Sequence, residues 1–366
     1  MKRRTFIKHT TASAAALMLT STTGSLFAAD KNPRLTIPRW RGFNLTEMAN
    51  PRTMKPFVES DLQWMSEFGF NFARIPMSYW CWSDPKDWYK VDESVFEWID
   101  QVIAYGKNYG IHINLNFHRI PGYCVNGREL EPCDLFQGPV ADQDKALEAA
   151  AFHWRTFAKR YKGISSKELS FDLMNEPPWM DDDSRYVEII QRLVSNIREI
   201  DPDRLIAIDG SDIGQTPVQK VADMGLVQST RGYLPKMVSH YTATWVPENE
   251  FESFEYPTWP MHDKNGLLWD RERIKQELIA PWLSLVEQGV PVHVGEWGCY
   301  NKTPHDVTLA WMEDMLSIWK ELGWGWAMWN FRGSFGVFDS GREDVKYEDF
   351  RGQKLDREML ELLKRY

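Results

Sequence analysis

Short apolar segments alternate with longer amphipathic segments along most of the chain. The short segments predict eight β-strands, near residues 42–45, 71–75, 112–117, 170–175, 205–209, 226–230, 292–296 and 325–330. Helical periodicity predicts helices at residues 54–68, 93–109, 143–161, 184–200, 271–288, 305–322 and 356–365, and a short one at 218–224. Eight alternating pairs predict a single-domain (β/α)8 or TIM barrel, because parallel strands need crossover helices.

The ends of the predicted strands carry polar or aromatic residues where such a barrel keeps its active site. These residues are Asn44, Arg74, His118, Asn175, Glu176, Glu296 and Trp329. We expect them to converge on one axis. Taken singly, Arg74 also suits a loop salt bridge, His118 a buried core position and Trp329 ordinary packing. The long segments 77–91, 119–142 and 245–270 would wall a cleft on the same face.

Two glutamates are the strongest candidates for chemistry. Asn175-Glu176-Pro177 ends the apolar segment 169–174, and Gly295-Glu296-Trp297-Gly298 ends the segment 292–294. Two carboxylates at strand ends, distant in sequence and close in space, are what a retaining glycoside hydrolase needs as its acid/base and its nucleophile.

Composition narrows the possible partners. The net charge of −9 argues against nucleic acid, whose phosphates an acidic surface would repel. No segment after the N-terminus approaches the ~20 apolar residues of a membrane span. The 18 Trp exceed what a core of this size requires and are typical of sugar-binding clefts, although we expect two thirds of them to be structural. We expect a monomer that needs no cofactor and no metal.

Residues 1–29 predict an export signal, and residues 30–366 the catalytic domain. Arg3-Arg4, followed by Phe6-Ile7 and a mildly apolar stretch, resembles the twin-arginine signal of bacteria, which implies a periplasmic or extracellular protein. A basic amphipathic helix of the mature chain and an uncleaved anchor are the alternatives. The cysteines match no zinc pattern, and Cys124 and Cys133 suit either a disulfide or free thiols.

Six motifs in one order resemble glycoside hydrolase family 5, a family of clan A β/α barrels. They are Arg41-Gly42-Phe43-Asn44-Leu45, the segment 69–76 that contains Arg74, His118 before Pro121-Gly122, Asn175-Glu176-Pro177, Gly295-Glu296-Trp297-Gly298, and Trp329. The resemblance spans about residues 36–365 and implies a retaining β-glycosidase that acts on a β-linked polysaccharide or oligosaccharide.

The resemblance also implies roles. Glu176 would be the acid/base and needs a raised pKa, whereas Glu296 would be the nucleophile and stays ionised beside Arg74. Asn175 would bind the sugar 2-hydroxyl and His118 would line the same subsite. Trp329 would lie beneath the sugar ring.

The sequence departs from the family on the sixth strand, where a His-x-Tyr pair is usual. Arg231-Gly232-Tyr233 gives the expected tyrosine, but Arg231 replaces the histidine. Its charge would weaken Glu176 as an acid unless the side chain points elsewhere, or it would bind an anionic sugar. In another alignment His240 is the family histidine.

The departure leaves the substrate open. The first expectation is an endoglucanase-like hydrolase of a β-glucan. A β-mannanase or β-mannosidase, an exo-β-glucosidase and a transglycosylase are alternatives on the same fold. A non-catalytic carbohydrate-binding protein on a hydrolase scaffold is the alternative from another class.

Overall fold

The computed structural model describes residues 35–246 and 256–366. The predicted export signal, residues 1–29, lies outside the described residues. Within the described residues, no helix combines the length and the apolar character that crossing a membrane requires.

Eight parallel strands close into a barrel, as predicted. They are β1 (Arg41–Asn44), β2 (Phe72–Ser78), β3 (His112–Ile120), β4 (Leu169–Asp172), β5 (Leu205–Asp209), β6 (Val227–Gly232), β7 (Val292–Trp297) and β8 (Gly325–Met328). Each strand pairs with the next, and β1 also pairs with β8, which closes the sheet. The strands are buried on both faces because side chains fill the inside and helices cover the outside.

The crossover helices follow the predicted order, although residues 93–95 form a separate 3₁₀ turn, the third helix begins three residues earlier than predicted, and two others differ more. The helices are Glu59–Glu67, Phe96–Tyr109, Val140–Arg160, Ser184–Ile200, His305–Leu322 and Arg357–Arg365, with a 3₁₀ helix at Gln219–Met224. The first begins five residues later than predicted because Pro56 disfavours helical backbone at the residue before it. The predicted helix 271–288 is divided into Arg271–Ile274, a π-helix Lys275–Ile279, a 3₁₀ turn Ala280–Trp282 and Leu283–Glu287, because Pro281 provides no N–H.

The inside of the barrel is layered, and the layers position the site. At the N-terminal end, the ring of Trp40 stacks on Phe72 and His112 with centroids 4.8 and 4.4 Å apart, and His293 packs beside them. The opposite end, where the strands finish, is lined by charged side chains. Trp324 and Trp326 are buried, as predicted. The aromatic layer therefore closes one end and leaves the charged end as the site.

The loops after the strands lie on the charged side. The segment after β2 forms a short hairpin, Ser83–Asp84 with Asp87–Val91, and the segment after β6 contains a second, Met261–His262 with Leu268–Trp269. The loop after β8 is anchored by the buried Arg342, whose Nη1 donates to the Thr303 carbonyl at 2.7 Å and whose Nη2 donates to the Cys299 carbonyl at 2.6 Å. All four cysteines are free thiols, so Cys124 and Cys133 are not joined.

Candidate active site

Arg74, near the middle of β2, is the hub of the charged layer. Its Nη1 donates to Glu296 Oε1 at 2.6 Å and to Asn44 Oδ1 at 3.1 Å. Its Nε donates to Asp172 Oδ2 at 2.8 Å, and its Nη2 donates to Asn175 Oδ1 at 2.9 Å. Arg74 is only 1% exposed, so this charge is screened by its carboxylate partners rather than by water.

Glu296, in β7, lies in a strongly cationic environment. Besides Arg74, the Arg231 guanidinium lies 3.5 Å from Oε1, and the Tyr233 hydroxyl donates to Oε2 at 3.3 Å. Burial alone would raise the pKa of Glu296, but Arg231 and then Arg74 outweigh it and hold the pKa below its ordinary value. Glu296 is therefore ionised at neutral pH.

Glu176, just beyond β4, has the opposite electrostatic environment. Burial first, and then the negative charge of Glu296, raises its pKa to about 7, although Arg231 opposes the rise. Its backbone has φ of +48°, an uncommon conformation for a residue with a side chain. Two contacts hold it: the Glu176 N–H donates to Asp209 Oδ2 at 2.8 Å, and the Tyr123 hydroxyl donates to the Glu176 carbonyl at 2.6 Å. The carboxyl therefore stays largely protonated below pH 7, and the backbone that carries it is held in place.

Arg231 contacts the glutamate that the first alignment predicted. Its Nε donates to Glu176 Oε1 at 3.0 Å, and both terminal nitrogens donate to Asp209. Nη2 also donates to Asn175 Oδ1 at 2.9 Å, and Nη1 to Ser229 Oγ at 3.2 Å. The five N–H groups of a guanidinium are thereby all engaged by the protein.

This arrangement bears on two questions that the sequence left open, namely whether Arg231 binds an anionic sugar and whether Arg231 or His240 occupies the position of the family histidine. An anionic sugar would find no free donor on this side chain. His240 lies beyond the short helix Lys236–Ser239, where its ring packs on Tyr233 at 4.9 Å and its Nδ1 lies 2.8 Å from the Ser239 hydroxyl. The contact with Glu176 favours Arg231, rather than His240, as the residue at the position of the family histidine.

A cavity of about 610 Å³ opens above both glutamates. The Trp329 ring lines it and stacks on His118, with centroids 5.6 Å apart and planes inclined by 24°. Burial lowers the pKa of His118 to about 4, so the ring is neutral. The Asn175 amide nitrogen is buried without a hydrogen-bond partner among the described residues. This unpaired donor belongs to the residue before Glu176 in the chain and is available to a substrate hydroxyl.

Aromatic side chains wall one end of the cavity. Trp245 is 55% exposed and packs against Phe335 and Tyr300, which come from the loops after β8 and β7. Flat rings of this kind offer an apolar surface to the C–H faces of sugars.

Three residues of the site were not singled out from the sequence. Asp172 and Asp209 end β4 and β5 and are buried, and Tyr123 lies in the segment after β3. Burial raises the pKa of Asp172 to about 6 despite Arg74. The signal for both aspartates was an ionisable residue within an apolar strand. Tyr123 had no comparable signal, because an aromatic residue in a loop is usually packing.

The nine residues predicted for the site all lie at this end of the barrel, but not all face the cavity. His118, Glu176, Arg231, Tyr233, Glu296 and Trp329 line it. Arg74 and Asn175 are buried and do not line it. Asn44 does not line it either, and its amide nitrogen donates to the carbonyls of Gly295 at 3.0 Å and Ala327 at 3.2 Å. Its amide oxygen accepts from Arg74 and so supports that side chain. The described residues contain no group of three or more His, Cys, Asp or Glu side chains that could hold a metal ion.

Known proteins share this architecture. The model of the cellulase family, glycosyl hydrolase family 5, matches residues 29–334. Endoglucanase C of Acetivibrio thermocellus is 25% identical over 314 residues, which cover 80% of this chain and 89% of that protein. A crystal structure of a glycoside hydrolase is 40% identical, covers 89% of this chain and 99% of its own, and superposes with a TM-score of 0.83. Thermotoga maritima Cel5A in complex with cellobiose, 21% identical, shares the fold with a TM-score of 0.69 over 89% of this chain and 96% of its own.

These matches agree with the strand-end motifs and with the pair of glutamates in one cavity. The protein is a glycosidase, and its reaction is the hydrolysis of β-glycosidic bonds. The family match spans most of the chain, well beyond any single motif. The chain belongs to glycosyl hydrolase family 5.

Proposed function

We propose that this enzyme is a retaining, endoglucanase-like hydrolase of a β-glucan chain, with Glu176 as the acid/base and Glu296 as the nucleophile. The observation that carries the proposal is the contrast between the two carboxyl groups. Arg231 and Arg74 lower the pKa of Glu296, whereas burial and the charge of Glu296 raise the pKa of Glu176 to about 7. Two identical side chains are thereby prepared for opposite tasks.

In the first step, the Glu296 carboxylate attacks the anomeric carbon while Glu176 gives its proton to the leaving oxygen. Esterification removes the negative charge of Glu296, which is the second largest cause of the raised pKa of Glu176. The pKa of Glu176 then falls, and its carboxylate can take a proton from the attacking water in the second step. The charge of Glu296 therefore keeps Glu176 an acid in the first step, and the loss of that charge makes Glu176 a base in the second.

The substrate would lie on Trp329, with its 2-hydroxyl near the unpaired Asn175 amide nitrogen and His118 beside it. Tyr233 and Asn44 would act by holding Glu296 and Arg74. Because Arg231 has no free donor, the site suits a neutral sugar. The endoglucanases among the relatives support a β-glucan.

We further propose that residues 1–29 are a twin-arginine export signal ahead of the catalytic domain 30–366, and that the enzyme works in the periplasm or outside the cell. Replacing Arg3-Arg4 by two lysines should retain the protein in the cytoplasm. Normal export of that variant would contradict this signal type.

Azide rescue of two alanine variants tests the mechanism. Glu296→Ala should lose all turnover, and azide should restore an α-glycosyl azide from an activated aryl β-cellobioside. Glu176→Ala should keep turnover of the same glycoside, because its leaving group needs no proton, and azide should give the β-product. Glu287→Gln, on an exposed helix end, is the control and should match wild type.

The products identify substrate and stereochemistry. β-1,4-Glucan, β-1,3-glucan, mannan and aryl glycosides are compared with the purified enzyme, and NMR follows the first product. A β-anomer as the first product supports double displacement, and an α-anomer refutes it. Preference for mannan, or release of single glucose units, would replace the endoglucanase assignment by one of the alternatives on the same fold. Binding without turnover would indicate a carbohydrate-binding protein.

A further inference from the structure

We infer that Asp209 and Arg231 form a positioning couple for Glu176, in which Asp209 neutralises the guanidinium and fixes the acid's backbone. The inference rests on the proposed role of Glu176 as the acid/base. It explains how a permanent positive charge can lie against a residue that has to keep a proton.

The contacts connect Asp209 to Glu176 by two routes. Both carboxylate oxygens of Asp209 accept N–H groups of Arg231, whose Nε donates to the Glu176 side chain at 3.0 Å. Asp209 Oδ2, which accepts from Arg231 Nη2, also accepts the Glu176 backbone N–H at 2.8 Å. One carboxylate therefore orients both the side chain and the main chain of the acid, and Asp209 itself is fully buried.

The chain provides a fitted space for this arginine. A Cβ on Gly214 would lie 2.7 Å from Arg231 Cγ, and one on Gly295 would lie 2.9 Å from its Nη1. Both distances are shorter than real contacts allow, so larger residues at these positions would displace the guanidinium. Gly214 belongs to the turn after β5, and Gly295 belongs to β7. Two separate elements are thus adapted to one side chain.

The electrostatics follow from this geometry. The groups that face Glu176 are Tyr123 after β3, Asp209 on β5, Arg231 on β6, Tyr233 directly after β6, and Glu296 on β7. Arg231 alone would draw the proton from Glu176. With Asp209 bound across its other edge, the couple acts as a dipole rather than as a free charge, and the pKa of Glu176 still lies near 7.

Removing either partner should therefore shift the pH dependence in opposite directions. The alkaline limb of kcat/KM reports the acid of the free enzyme. In Asp209→Asn the guanidinium is no longer neutralised, so the limb should fall by about one pH unit. In Arg231→Gln the nearby cation is lost while Asp209 remains, so the limb should rise by about one pH unit. A role confined to folding would not produce shifts of opposite sign.

The assay compares an aryl β-cellobioside that has a poor leaving group with one that has a good leaving group. The shifts should appear with the first and vanish with the second, which needs no acid.

A matched control exists at the other end of β5. Arg204 pairs with Asp201 at 2.8 Å and is also buried, so Asp201→Asn should lower stability and leave the pH profile unchanged.

Two further variants keep the inference testable if a single substitution prevents folding. Asp209→Asn combined with Arg231→Gln removes both charges, and its limb should lie within about half a pH unit of wild type, because the opposing effects cancel. Arg231→Lys keeps the charge, but an ammonium group cannot bond Asp209 and Glu176 at the same time with the planar geometry of a guanidinium. We therefore expect kcat to fall on the order of tenfold or more.

Shifts of the alkaline limb with the same sign in Asp209→Asn and Arg231→Gln would refute the positioning couple. Wild-type turnover in Arg231→Lys would refute it as well. A folded double variant whose limb has moved by more than one pH unit would do the same. Failure of azide rescue in Glu176→Ala would instead overturn the proposed function. The two hypotheses can therefore fail separately.

Discussion

The raised pKa of Glu176 predicts that its ionisation destabilises the fold. The folded protein binds this proton more tightly than the unfolded chain does, because the pKa rises from 4.5 to about 7. The stabilisation is complete below pH 4.5 and is lost as the pH rises through about 7. Each pKa unit corresponds to about 1.4 kcal/mol, so the loss amounts to about 3 kcal/mol. Glu176→Gln removes the titrating group and should not suffer this loss.

The measurement is the free energy of unfolding in urea at several pH values. Between pH 4 and pH 8, Glu176→Gln should gain about 3 kcal/mol on the wild type, with most of the gain below pH 7. The side chain is only 13% exposed, so solvent screening removes little of the effect. Glu287→Gln should differ from wild type by a constant amount. A pH-independent difference for Glu176→Gln would refute the raised pKa assigned to Glu176.

Further outcomes follow from the contacts of the site. Arg74→Gln should raise the acid limb of kcat/KM by about one pH unit, because Glu296 loses its nearest cation; an unmoved acid limb would count against the pairing. Tyr123→Phe removes the hydroxyl held by the Glu176 carbonyl and should lower kcat about fivefold with unchanged KM, measured on a poor leaving group; a rise in KM alone would indicate a substrate contact instead. Arg342→Met should lower the free energy of unfolding by about 3 kcal/mol and leave the pH profile unchanged, which urea unfolding and kinetics check together.

The fold could be predicted because its signals are local. Each strand is an apolar segment of the length that a barrel requires, and each helix has an amphipathic face. The largest errors lie where proline acts on the backbone, at Pro56 and Pro281. These positions were visible in the sequence, but periodicity alone does not say whether a proline delays, kinks or divides a helix.

The site could be predicted only in part, for a physical reason. The motifs located Glu176 and Glu296, but their electrostatics depend on residues that no motif contains. Asp209 acts through a contact across two strands, and Tyr123 acts through a backbone carbonyl. The sequence also left the direction of Arg231 open, because a side chain's partners are decided by packing. The sequence pattern predicts where the two glutamates lie, whereas the charge balance around them depends on which residues become neighbours in the folded chain.

Asn44 connects the beginning of the barrel to its end. Its amide reaches carbonyls 251 and 283 positions further along the chain, and it also holds the arginine beside Glu296. Contacts of such long range form late, because the entropy of closing the intervening chain must be overcome first. We therefore expect a nascent chain that already contains both glutamates to lack turnover until its last barrel strand is in place, so that activity is acquired together with barrel closure.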